Sequence, residues 1–291
     1  MKFPLRDSRN DPEFRFAAQI KSAVDQLVRS ASVPIFAANL NALREQNGIF
    51  IVDSPPISGI GSGTLFHIGG HHFLVTAAHV IKQFMADGYE LRLGMGKPAR
   101  PRPIAIREED LALDLENDVA ALRLPADKLN MLSDKRFLGL NDIEFDVEVG
   151  DWYCVLFGYL WEGSQPGRDY SQLLLHNHMY WTQQHEGGVS ASSYDAARHL
   201  LVDYGESSWS LPDGFPVKKP GSLGGISGSS LWRIFRPQHV EDEWSLATAK
   251  VIGIENVVYG ERIIRCTKWR EVMPLLRVLA PSLGTILDSK D

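Results

Sequence analysis

Three polar side chains set among small or apolar neighbours stand out from the sequence. Ser227 lies in GGISGSS, His79 closes the run LVTAAH, and Asp118 opens the alternating run DVAALRL. A serine hydroxyl attacks a carbonyl only when a neighbouring base takes its proton and a third group holds that base in the right tautomer. Glycines around Ser227 permit a tight turn, and the small residues Thr76, Ala77 and Ala78 leave room beside the imidazole. Asp118, at the mouth of a strand, can present its carboxylate to an imidazole N–H. Asp114 is the rival acid, in a more charged stretch. Taken singly, these residues also read as a glycine-serine turn, a satisfied core histidine and a strand-start carboxylate. Their joint presence points to nucleophilic acyl chemistry.

The segments GSGTLF (Gly61–Phe66), TAAH (Thr76–His79), NDVAAL (Asn117–Leu122) and GGISGSSL (Gly224–Leu231) resemble, in that order, the trypsin-like (chymotrypsin-fold) serine peptidase family, in its bacterial intracellular type. The resemblance spans roughly residues 48–280. It implies an all-β fold of two six-stranded antiparallel β-barrels with the active site between them. Carried over position by position, it makes His79 the general base, Asp118 its orienter and Ser227 the nucleophile. Gly225 and Ser227 would supply the backbone N–H groups of the oxyanion hole. The implied activity is that of a serine endopeptidase working through an acyl-enzyme on a protein or peptide substrate, without metal or cofactor. An esterase-like hydrolase uses the same chemistry. The alternative is a catalytically silent or gated peptide-binding module on the same fold.

Departures from the family pattern carry information. The residue before the nucleophile is Ile226, where digestive members carry an aspartate that pairs with a newly cut N-terminus, so no such activation is expected. Control would come from a partner, the N-terminal helices or cleft loops. The pocket-base position falls at Gly221, which does not support a demand for arginine or lysine. Asn256, Val257 and Val258 are expected to line the substrate side, with Ile264 narrowing the pocket, and the residue before the cleaved bond to be small or medium and apolar.

The elements that must hold these residues follow from pattern and composition. With 291 residues, of which 44% are hydrophobic, the chain can bury a sizeable core. A formal charge of −6 offers no basic field for nucleic acid. Two cysteines in apolar runs, Cys154 and Cys266, fit reduced thiols better than a disulfide framework. The opening MKFPLRDSRNDPEFRF has no apolar signal core, and no apolar run is long enough to cross a bilayer, so a cytoplasmic protein without membrane partners is expected. Asp11 and Pro12 read as the start of a helix carrying Phe16, Ile20, Val24, Leu27 and Val28 at helical spacing, and a weaker helical pattern runs through IFAANLNALREQ to the turn Asn47-Gly48. That gives an N-terminal helical extension over 1–47, open to a regulatory protein partner. A first barrel over 48–140 carries His79 and Asp118, and a second over 141–291 carries Ser227. TKWREVMPLLRVLA reads as a closing helix, with Pro274 tolerable near a first turn. His176 and His178 share a strand face but lack further metal ligands.

Overall fold

Beyond Ala31 the described secondary structure is dominated by extended segments, which pair into two large antiparallel sheets. The computed structural model describes residues 12–39, 43–46, 49–52, 57–85, 89–95, 99–104, 107–147, 152–166, 173–191, 193–205, 207–210, 215–218, 220–235, 245–260 and 262–288. The first sheet has seven strands, in the order Arg100–Pro103, Tyr89–Met95, Ser32–Asn39, Ile57–Ile68, His71–Thr76, Val119–Arg123, Leu111–Asp114. The second has six: Leu173–Thr182, Trp152–Pro166, Ser230–Phe235, Lys250–Tyr259, Ile263–Lys268, His199–Asp203. The mostly β character matches the sequence expectation. The strand counts differ from six and six, and among the described residues neither sheet closes on itself by pairing its two edge strands.

The additional strand comes from a segment whose spacing suggested a helix. Ser32–Asn39 pairs with Ile57–Ile68 on one side and Tyr89–Met95 on the other. Val33, Ile35 and Ala37 face the core of the first sheet, while Phe36 packs on the opposite face with Ile57, Ala99 and Leu173. Burial on both faces and pairing on both edges outweigh a weak local preference for helix. The first sheet therefore begins at Ser32 rather than at residue 48, and the segment Leu43–Gln46, also expected to be helical, forms a hairpin with Ile49–Val52. Asp11, the Phe16 side chain and the Asn47-Gly48 turn lie outside the described residues.

The helix expected at the start spans Pro12–Ala31. Its residues Ile20, Val24, Leu27 and Val28 enter one apolar cluster with Phe66 and Phe73 of the first sheet, Val155, Phe157 and Trp232 of the second, and Leu275, Leu276 and Leu279 near the C-terminus. This shared cluster fixes one sheet against the other. Arg29 adds a polar tie, donating to Asn177 Oδ1 with its guanidinium 4.8 Å from the centre of the Phe157 ring. The closing segment forms a 3₁₀ turn at Trp269–Val272 and a helix at Met273–Leu279 with Pro274 in its first turn, where the missing N–H breaks no helical bond. Cys154 and Cys266 are free and buried, and burial pushes both thiols well up. Among the described residues no helix is long and apolar enough to cross a membrane.

Because Leu27 is 5% exposed within this shared cluster, Leu27→Ala is expected to destabilise the protein by about 2–5 kcal/mol. Gln26→Ala, at an exposed position of the same helix, should change stability by less than about 0.5 kcal/mol. Urea denaturation of the two variants checks this, and equal midpoints would show that the helix does not belong to the core.

Candidate active site

His79 is the second residue of the short helix Ala78–Phe84, which follows the buried strand end at Thr76. Asp118 reaches it from the turn before Val119–Arg123 and grips it twice. One carboxylate oxygen accepts the His79 backbone N–H at 2.9 Å, an amide of the helix's first turn that has no intrahelical acceptor. The other lies 2.8 Å from Nδ1. A carboxylate only accepts, so Nδ1 carries the proton and Nε2 is left as the basic nitrogen. The Asp118 hydrogen bond, aided by the Asp118 charge, raises the His79 pKa against the opposing effect of burial.

Asp118 has a φ of 53°, in the left-handed region, and is the one non-glycine described residue with positive φ. The conformation is held from below. Asn256 Nδ2 donates to the carbonyls of Asn117 and Asp118 at 3.0 and 3.3 Å, and to Thr267 Oγ1 at 2.8 Å. Thr267 Oγ1 donates in turn to the Asn117 carbonyl, and Arg265 Nε donates to Asn256 Oδ1 at 3.0 Å. Asp114, the rival acid, accepts the backbone N–H groups of Glu116 and Asn117, both at 3.0 Å, and so shapes the turn that presents Asp118.

The Ser227 turn lies on the strand Ile57–Ile68, the hydrogen-bonded neighbour of the strand His71–Thr76 that leads to His79. Ser62 donates its N–H to the Ser227 carbonyl at 2.8 Å and its hydroxyl to the Gly225 carbonyl at 2.8 Å, while accepting the Tyr159 N–H at 3.0 Å. Gly228, at φ 89°, comes so near that a Cβ there would stand 2.0 Å from Thr76 Oγ1 and 2.9 Å from Ala77 N. Gly225, at φ 102°, would place a Cβ 2.5 Å from the Tyr159 carbonyl. Both positions therefore require glycine. Along this turn the amides of Gly224, Ile226, Gly228 and Ser229 donate to Ser222 Oγ and the carbonyls of Leu223, Glu255 and Ile226. Those of Gly225 and Ser227 have no acceptor among the described residues.

The expected cleft wall differs in detail. A register irregularity between Glu255 and Val257 inserts Asn256 as an additional residue, and its side chain turns to the Asp118 loop instead of to a substrate. Asn256 is 4% exposed. Ile264 does not narrow a pocket either, since it is fully buried with Leu156, Val202, Leu231 and Cys266 in the core of the second sheet. Val257 and Val258 are half-buried. Gly221 is exposed, and the adjacent Ser222 N–H donates to the Glu162 carboxylate at 2.6 Å. Spacing could not reveal Ser62, Thr267 or Arg265 as supports, because each acts across more than one strand; the only signal was Ser62 inside GSGTLF. Among the described residues no group of three His, Cys, Asp or Glu side chains is placed to hold a metal, and His176 instead has Nδ1 2.8 Å from the Glu162 carbonyl.

The double contact predicts that the His79 ring titrates above 6.5 and that Asp118→Asn lowers this value, which NMR titration of the imidazole measures directly. A raised histidine pKa stabilises the fold fully below the unfolded value and loses that contribution as pH rises through the folded one. The stability deficit of Asp118→Asn should therefore be larger just below about pH 6.5 than above the folded His79 pKa, with a remainder from the lost backbone contact.

No family model matches the chain, and no curated protein does. Similar solved structures include a protease of M. tuberculosis in its active form, at 15% identity and TM-score 0.46, covering 90% of this chain and 86% of that one. The protease Anisep from Arthrobacter nicotinovorans is similar at 11% identity and TM-score 0.47, with 87% and 96% covered. An inactivated protease paralogue of the scabies mite is similar at 13% identity and TM-score 0.45, with 86% and 94% covered.

Proposed function

We propose that the chain is a serine endopeptidase of trypsin-like type, cytoplasmic, with a two-barrel architecture and no activation by N-terminal cleavage. The observation that carries this reading is the pairing of two features. Between Gly224 and Ser229 only the Gly225 and Ser227 amides are without acceptors among the described residues, and the turn is anchored to Ile57–Ile68, which pairs with the strand leading to a His79 already oriented by Asp118. A developing oxyanion requires N–H donors that no other acceptor already occupies.

In the proposed reaction Ser227 Oγ attacks a substrate carbonyl and forms a C–O bond while its proton passes to His79 Nε2. The Asp118 carboxylate stabilises the imidazolium, and the Gly225 and Ser227 N–H groups receive the oxyanion. Collapse of the tetrahedral species breaks the C–N bond as His79 protonates the leaving amine. Water, deprotonated by His79, then hydrolyses the acyl-enzyme. An ester enters the same sequence with an alcohol as leaving group. Ile226 in place of an acid supports the absence of a cleavage-dependent switch, and it is 1% exposed, packed where a Cβ on Gly158 would meet it. Control would then fall to a protein partner or to the loops around the cleft.

A second reading, a gated or silent peptide-binding module, is favoured by one observation: among the described residues no hydrogen bond joins the His79 ring to the Ser227 hydroxyl. Resting enzymes often close that contact only with substrate bound. A fluorophosphonate separates the two readings. The active enzyme should be labelled on Ser227, Ser227→Ala should not react, and Asp118→Asn should react more slowly by up to about 10⁴-fold. Folded wild type that refuses the label would favour the binding module.

A further inference from the structure

Glu255 is a buried acid that the proposed reaction does not use. Its backbone is locked to the nucleophile turn, accepting the Gly228 N–H at 2.8 Å and donating to the Ser229 carbonyl at 2.8 Å. The residue is 0% exposed, and neither carboxyl oxygen has a well-formed hydrogen bond among the described residues. An acid buried this way is destabilising unless something else engages it.

Its surroundings identify the partner. The groups whose charge or hydrogen bonding reaches it are His79 from the helix Ala78–Phe84, Asp118 from the turn, Arg265 and Cys266 from Ile263–Lys268, and the hydroxyl of Ser227. Arg265 is already engaged, with Nε on Asn256 Oδ1 and a second nitrogen on the Ser193 carbonyl. The Cys266 thiol is held protonated by burial, with the Glu255 charge acting in the same direction. Ser227 remains: its hydroxyl approaches closely enough to favour the ionised carboxyl, short of a well-aligned hydrogen bond.

We propose that Glu255 is a positioning residue for Ser227: as a neutral acid it leaves the hydroxyl to His79, and as a carboxylate it accepts the hydroxyl's hydrogen bond and turns the nucleophile from the imidazole. This rests on the serine-hydrolase reading above. No proton is transferred, and only the acceptor of the Ser227 O–H changes. A carboxylate is a stronger acceptor than a neutral imidazole. Its charge acts with opposite sign on the imidazolium and the oxyanion, which form together, so those two influences largely cancel and the competition for the hydroxyl remains. Burial and Asp118 push the Glu255 pKa up, against His79, Arg265 and Ser227, to about 8. The neutral, permissive form thus prevails at neutral pH, and the competing form grows in above it.

The test is the rate of fluorophosphonate labelling from pH 5 to 10 in wild type, Glu255→Gln and Glu255→Leu, with circular dichroism at each pH to confirm folding. Glu255→Leu provides a variant without the buried acid should the amide fold poorly. Wild type should rise as His79 loses its proton and then fall above about pH 8, approaching about tenfold per pH unit. Either folded variant should hold its rate to pH 10. A wild-type rate that stays level to pH 10, or an alkaline fall that persists in a folded variant, overturns the inference while leaving Ser227 as nucleophile. Wild type that behaves like Ser227→Ala at every pH overturns both readings.

Discussion

The double contact between Asp118 and His79 is the constraint around which the candidate site is organised. One carboxylate oxygen fixes the backbone at the start of a short helix and the other fixes the ring, so imidazole position and tautomer are set together. That geometry uses a left-handed aspartate, a conformation that costs of order 1 kcal/mol and persists only when its surroundings enforce it. The enforcement comes from the other sheet. Asn256 and Thr267 hold the Asn117 and Asp118 carbonyls, Arg265 holds Asn256, and a register irregularity provides the additional residue that lets Asn256 face them. The orienting acid is thus built into the first sheet and braced by the second.

The same seam carries the Ser227 turn in the reverse sense. Ser227 belongs to the segment entering the second sheet, yet its carbonyl and that of Gly225 are held by Ser62 of the first, and the next strand is tied across by Ser230 Oγ to Thr64 Oγ1 at 2.8 Å. Two glycines with positive φ make this approach sterically feasible. Relative movement of the sheets would disturb both halves of the site together. The apolar cluster shared by the N-terminal helix, both sheets and the closing helix opposes such movement. Packing far from His79 and Ser227 therefore contributes to how the two are placed.

The parts legible in the sequence were those encoded locally. The alternating run DVAALRL marked a strand, and the spacing from Ile20 to Val28 gave the first helix. Ser32–Asn39 misled because its spacing fits a helix, while its actual state is decided by two partner strands distant in sequence. Asn256 and Ile264 misled for a related reason. Strand alternation predicts which face a residue takes, but one irregularity turned Asn256 to the Asp118 loop, and burial in the sheet core took Ile264 out of the cleft. The candidates His79, Asp118 and Ser227 stand out locally because small flanking residues mark them. Their supports do not, because a buried threonine or arginine carries no local sign of what it holds.

A layer optimised for stability alone would not contain the set Glu255, Asn256, Arg265 and Thr267. All four are 4% exposed or less, within strands whose other buried positions are largely apolar. Buried charges and amides are tolerated when fully engaged, and replacing such groups with apolar residues of similar volume often raises stability by about 1–4 kcal/mol. Three of the four are engaged: Asn256 and Thr267 hold the Asp118 turn, and Arg265 holds Asn256 and the Ser193 carbonyl. Glu255 alone keeps both oxygens without a well-formed bond, and it is the member whose backbone is locked to the Ser227 turn. Three polar residues that brace Asp118 and one acid without a well-formed bond beside the Ser227 turn form a division of labour that fold stability does not require.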